Sequence, residues 1–204
     1  MSITKKSILL ILLILIIDQA VKIYVKLHFS LGEHVDVFSW FKIYFIENNG
    51  MAFGMELIGK LFLTLFRIIA VGALAWYIHL LIKKQVRQGY ILTISLVLAG
   101  AAGNIIDSLV YGLIFSASNY LGPIATLFPE GGGYAGLFYG KVVDMLYFPL
   151  IKNASGETLF FSPIFNIADS AISLAVGIIL IFFRKELNES LETKKEVDAP
   201  TDNK

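Results

Sequence analysis

Residues 7–27 read SILLILLILIIDQAVKIYVKL, and the fold turns on whether this string is a cleaved signal or a retained helix. Lys5 and Lys6 precede an apolar run from Ser7 to Ile17, which alone has the outline of a signal peptide. Asp18 and Gln19 then stand where small residues should precede a cleavage site. Apolar character resumes through Val21, Ile23, Tyr24, Val25 and Leu27. The string therefore reads as one retained helix, about 3–25, long enough for the roughly 20 residues that a bilayer crossing needs.

The rest of the chain supports a membrane setting. It is 56% hydrophobic with a mean hydropathy of +0.72, against about 45–50% apolar residues in soluble domains. Three more apolar segments follow, about 61–82, 90–115 and 165–183, interrupted by Arg67 and His79, by Asn104 and Asp107, and by Asn166 and Asp169. The expected fold is an integral membrane protein, mainly α, with four transmembrane helices in one domain over residues 1–184. Residues 185–204 are polar, and their low apolar content predicts a disordered cytoplasmic tail. Lys5, Lys6, Lys83, Lys84, Arg87, Arg184 and Lys185 fall on one side of a four-span chain, so both termini are expected in the cytoplasm. The outer segments are then about 26–60 and 116–163. In the first, Val35, Val37, Trp40, Phe41, Ile43, Tyr44, Phe45 and Ile46 precede an Asn48-Asn49-Gly50 turn signal, which predicts a small extramembrane β element on the outer face. The second contains Gly131-Gly132-Gly133 and specifies no single conformation.

A net charge of +1 with 16% charged residues offers no basic surface for nucleic acid. The absence of cysteine removes disulfides, thiolate metal sites and a cysteine nucleophile. His28, His34 and His79 share no ligand spacing, so no metal and no cofactor is expected.

At 1.5 Å of rise per residue, the polar residues of the spans coincide in depth. Asp18 and Lys22 lie four apart near the outer end of the first span, in the favourable acid-before-base order. Asn104, Asp107 and Tyr111 form a stripe near the outer end of the third, and Asn166, Asp169, Ser170 and Ser173 another at the outer beginning of the fourth. Asp144 sits in the apolar run Val142–Phe148, where burial and a second carboxylate would both raise its pKa. Structural readings stand beside these: Asp18 with Lys22 as an ion pair, Asn104 and Asn166 as interhelical hydrogen bonds, Arg67 snorkelling to headgroups, and Ala99, Gly100 and Gly103 as close-packing residues. An uncompensated acid inside a span costs roughly 2.5–3.5 kcal/mol on insertion scales, so function is the default reading of Asp107 and Asp169.

The ordered strings Asp18-Gln19-Ala20-Val21-Lys22, Asn48-Asn49-Gly50-Met51-Ala52-Phe53-Gly54, Gly103-Asn104-Ile105-Ile106-Asp107, Val142-Val143-Asp144 and Phe165-Asn166-Ile167-Ala168-Asp169 resemble the lipoprotein signal peptidase, or signal peptidase II, family. That resemblance implies an enzyme of the bacterial inner membrane that cuts diacylglyceryl-modified prolipoproteins just before the lipidated cysteine. It implies Asp144 and Asp169 as the catalytic pair, Asn48, Gly50, Asn104, Asp107 and Asn166 as residues lining the site, and Asp18 and Lys22 as its support. Two departures stand out. Ser108 follows Asp107 where the family usually has arginine, with Arg67, Lys22 and Lys141 as candidate substitutes, and an insertion of about residues 111–141 precedes the Val-Val-Asp string.

The residues support the same chemistry without the resemblance, because the acid and base types left at the outer face are carboxylates. Ser170 and Ser173 lie on the face of Asp169 but have no adjacent lysine or histidine to activate them. The alternative is a small proton-coupled transporter or channel, since intramembrane acids also mark ion relays. A relay needs polar groups through the whole bilayer depth, however, and the inner half of each span here is almost purely apolar.

Overall fold

The computed structural model describes residues 1–48, 59–120, 122–152, 158–160 and 163–197. Helix α1, Ile3–His28, begins where the Ser2 hydroxyl accepts the Lys5 N–H at 3.4 Å. It runs past the expected end at Val25 to His28, and Lys26 in this last turn, where the helix dipole favours a cation, is fully buried against a partner described below. Helix α2 is Lys60–Lys83, and α3 is Gln88–Ile106. A π-helical turn, Asp107–Tyr111, and one last turn, α4, Gly112–Ile114, continue α3, so that Gln88–Ile114 is one apolar element. π-turns of this kind occur often at functional sites.

These three elements are long and apolar enough to cross a membrane. Helix α5, Ile167–Phe182, has 16 residues and reaches that length only together with α6, Arg184–Val197, from which it is bent by 93°. Helix α6 corrects the expectation of disorder from residue 185. Lys185 and Glu189 pair at 3.8 Å, Leu187 packs against the cluster that holds Ile179 and Phe183, and the Tyr77 hydroxyl donates to Ser190 at 2.8 Å. Low apolar content argued against independent folding, but docking on the bundle end supplies what the segment lacks. The last part of the expected tail, residues 198–204, lies outside the described residues.

The expected β element is an antiparallel hairpin, β1 His34–Phe38 and β2 Phe41–Asn48, with Trp40 in its turn rather than in a strand. It belongs to a four-stranded sheet in the order β1-β2-β3-β6, with β3 at Val142–Tyr147 and β6 at Ile164–Phe165. The run around Asp144 is thus a strand whose inner residues are buried, and the register pairs Asp144 with Ile46, Val143 with Glu47 and Val142 with Asn48. A separate pair, β4 Ile151–Lys152 and β5 Thr158–Phe160, follows.

One core, built on Val25, Phe45, Tyr111, Phe115, Val143 and Met145, joins the sheet to the ends of α1 and α3. A second, built on Ile78, Leu81, Tyr90, Ile91, Ile179 and Phe183, closes the opposite end of the bundle. Between them α3 and α5 touch closely. A Cβ at Gly100 would lie 2.3 Å from the Ala168 carbonyl oxygen, and one at Gly103 would lie 2.8 Å from Asp18 Oδ2, so a side chain at the first would run into backbone and one at the second into the Asp18 carboxylate. Ile8, Leu9, Leu12, Leu13 and Ile16 of α1 and Phe62, Phe66, Ile69 and Trp76 of α2 remain exposed, an apolar surface of the extent that meets lipid.

Candidate active site

Helix α1 delivers Asp18 and Lys22 on one face, one turn apart, and both are almost completely buried. Lys22 Nζ lies 2.9 Å from Asp18 Oδ2, 2.9 Å from Asp107 Oδ2 and 2.9 Å from Asn104 Oδ1. All three ammonium protons therefore have acceptors, which is the condition for burying a cation. Asp18 Oδ1 accepts the Ala168 N–H at 2.9 Å, so this carboxylate also caps the start of α5, where the helix dipole favours negative charge. Asp107 Oδ2 accepts the Val143 N–H at 3.2 Å and so ties the end of α3 to strand β3.

Asp144 and Asp169 are held differently. The Asn166 side-chain amide donates to Asp144 Oδ1 at 2.6 Å and to Asn104 Oδ1 at 3.1 Å, while the Asn104 amide donates to Asp169 Oδ1 at 2.7 Å. Asn166 Oδ1 in turn accepts the Asp169 N–H at 2.9 Å as the N-cap of α5. The second oxygen of Asp144 accepts from the amide of Asn48 at the end of β2. Two linked asparagines therefore carry both carboxylates, and among the described residues neither acid forms an ion pair. Burial, then the neighbouring charge of Asp169, push the Asp144 carboxyl up to about 7, against the opposing donation from Asn166. Asp144 is buried, whereas Asp169 is partly open.

The structure thus gathers Asp18, Lys22, Asn48, Asn104, Asp107, Asn166, Asp144 and Asp169 into one continuous network. Gly50 lies outside the described residues. Ser108 is buried with its hydroxyl bonded to the Asn104 carbonyl at 3.1 Å, turned back on its own helix. Of the candidate cations, Lys22 is fully engaged and Lys141 is 3.8 Å from Glu47. Arg67, half-buried on α2, is close enough for the charges of Asp169, Asp107 and Asp144 to act on it. The three histidines sit on α1, β1 and α2, and among the described residues no group of three or more His, Asp or Glu is arranged to hold a metal ion.

The sequence profile of the family described as Signal peptidase (SPase) II matches residues 10–185. The chain belongs to the signal peptidase II family. A relative named lipoprotein signal peptidase in Porphyromonas gingivalis is 45% identical over 202 residues, covering 94% of this chain and 88% of its own. Another of that name in Amoebophilus asiaticus is 34% identical, covering 94% and 82%. Two solved bacterial membrane enzymes share the fold, one with a TM-score of 0.60 at 25% identity, covering 98% of this chain and 95% of its own. The other has a TM-score of 0.59 at 28% identity, covering 87% and 91%. Signal peptidase II membership makes the chain a protease and disfavours the transport alternative.

Two groups of residues escaped the sequence reading. The Gln19 amide nitrogen bridges Asp18, the Gly103 carbonyl and Asp107 at 2.9–3.2 Å, and Gln19 Oε1 accepts the Tyr111 hydroxyl at 3.1 Å. Lys26 continues the buried stripe of Asp18 and Lys22 by one more turn and pairs with Glu47. The i, i+4, i+8 spacing was a visible signal for Lys26, but nothing local marked Glu47 as its partner.

Proposed function

We propose that this chain is an aspartic endopeptidase that removes the signal peptide from diacylglyceryl-modified prolipoproteins, cutting before the lipidated cysteine, with Asp144 and Asp169 as its catalytic dyad. The observation that carries the reading is the pair of acids suspended from Asn104 and Asn166, neither of which forms an ion pair among the described residues. A pair in that setting holds one proton between them near neutral pH. The ionised member takes a proton from water as the oxygen attacks the scissile carbonyl carbon. The protonated member gives its proton to the carbonyl oxygen; as the C–N bond breaks, the first acid passes the proton it took from water to the leaving amide nitrogen, and the second takes back a hydroxyl proton from the collapsing intermediate. Asn48, Gly50, Asn104, Asp107 and Asn166 line the site and Asp18 and Lys22 brace it.

The same proposal sets residues 1–184 as a four-span peptidase domain in the bacterial inner membrane, with both termini in the cytoplasm and the sheet and dyad near the periplasmic face. The distribution of Lys and Arg supports that orientation. A lipidated substrate keeps its chains in the bilayer, each buried methylene contributing about 0.8 kcal/mol, so it enters sideways at the level of its anchor. The test is incubation of the purified protein with a diacylglyceryl-modified prolipoprotein and an unmodified control. Cleavage confined to the lipidated form is the expected result, and equal cleavage of both, or of neither, overturns the proposal.

A further inference from the structure

The insertion between α4 and β3 closes around a second buried ion pair, away from the four acids. Lys26 Nζ, with its side chain fully buried, pairs with Glu47 Oε1, whose side chain is 2% exposed. Ser118, from the insertion, stands between them: its hydroxyl lies 2.8 Å from Lys26 Nζ and 3.0 Å from Glu47 Oε1. The rings of Phe115 and Tyr134 flank Lys26 Nζ at 5.4 and 5.1 Å. The Tyr134 hydroxyl accepts the Lys141 N–H at 2.6 Å, and Lys141 Nζ is 3.8 Å from Glu47 Oε2. Backbone bonds from Tyr134 to Phe115 at 3.0 Å, Ala135 to Gly112 at 2.9 Å and Gly140 to Ser108 at 2.9 Å hold the loop on the end of α3. Glu47 therefore takes contacts from α1 and from both ends of the insertion.

Glu47 immediately precedes Asn48, and both belong to β2, paired with Val143 and Val142 of β3. Along a strand successive side chains point to opposite faces, so Glu47 turns to the insertion while Asn48 reaches Asp144. We infer that the Lys26–Glu47–Ser118 cluster is a positioning device: the insertion clamps the end of β2 through Glu47 and so fixes the Asn48 amide on Asp144. Glu47 acts through Asn48 and touches no reacting atom. The inference rests on Asp144 belonging to the dyad. It gives the insertion the role of a fixed strut.

The experiment measures kcat, KM and the pH profile of purified full-length Glu47→Gln, Asn48→Ala and the double variant on a diacylglyceryl-modified prolipoprotein. Asn48 donates to the ionised form of Asp144, so loosening it raises that group's pKa. Glu47→Gln is expected to lower kcat about tenfold, leave KM within about twofold, and move the alkaline limb up by roughly half a pH unit. Asn48→Ala should do the same, and the double variant should be no worse than Asn48→Ala alone, since both act through one contact. A pH profile in Glu47→Gln identical to wild type, or losses that multiply in the double variant, overturn the inference. If Glu47→Gln does not fold, Ser118→Ala, which keeps the ion pair, is read by the same criteria with a smaller expected shift. An inert Asn48→Ala together with an active Asp144→Asn would instead strike at the dyad itself.

Discussion

Four aspartates meet within one network, and they divide into two pairs with opposite electrostatic settings. Asp18 and Asp107 share Lys22, whose three protons they satisfy together with Asn104. Asp144 and Asp169 receive side-chain amides and form no ion pair among the described residues. The first arrangement stabilises three buried charges by mutual compensation. The second leaves a carboxyl at about 7, able to hold or release a proton at neutral pH. Burial alone does not distinguish them, because Asp18, Asp107 and Asp144 are all buried. What differs is the presence of a cation within contact.

The comparison breaks most visibly if both pairs respond alike to neutralisation. Asp144→Asn and Asp169→Asn should each lower kcat by roughly 10²–10⁴-fold, the range associated with a lost acid-base group, while folded yield stays near wild type. Near wild-type turnover in either purified variant removes that residue from the dyad. Lys22→Met should show the reverse pattern. It leaves Asp18 and Asp107 buried without their cation, which costs about 3–5 kcal/mol and should appear as a lower Tm in detergent. An unchanged Tm would mean that the two acids take up protons and that the compensated pair is less distinct than the geometry implies.

Gly103→Ala probes the boundary between the pairs. The new Cβ would lie 2.8 Å from Asp18 Oδ2 and 3.1 Å from Ala168 Cβ, and Asp18 is held in place by Lys22, Gln19 and the Ala168 N–H. Overpacking of this kind costs about 1–3 kcal/mol, measurable by thermal unfolding. A wild-type Tm would show that α5 shifts away from α3 without penalty.

The smallest effect, and the one that sharpens the distinction furthest, is pH. With the dyad active in its singly protonated form, kcat should fall as pH rises through about 7, by about tenfold per unit beyond it. Stability should follow the same sign. A carboxyl raised in the folded state favours its protonated form, so its contribution is present below the unfolded value, 3.8, and is lost as pH climbs through about 7. Asp144→Asn removes that loss, and its Tm should gain on wild type between pH 5 and 8 in parallel unfolding scans. A constant difference would show that Asp144 does not titrate there.

Much of this was legible in the residues. Hydropathy located α1, α2 and the α3 element because a helix in lipid must satisfy its backbone internally and cover itself with apolar side chains, a local requirement written in consecutive positions. The ordered strings picked out residues that the fold brings into one network, and the glycines of α3 announced close packing, realised at Gly100 and Gly103. Local composition misjudged α6, since its ordering comes from contacts with Tyr77 and the second core. It also gave no element to the run around Asp144, because a buried strand and a short apolar loop have the same composition. Only the tertiary structure decided which aspartates share Lys22 and which hang from Asn104 and Asn166, and that Lys26 meets Glu47 inside the insertion. The physical reason is range. Apolar burial is set residue by residue, whereas the state of a buried acid depends on which donor stands within about 3 Å of it, and those donors come from other elements.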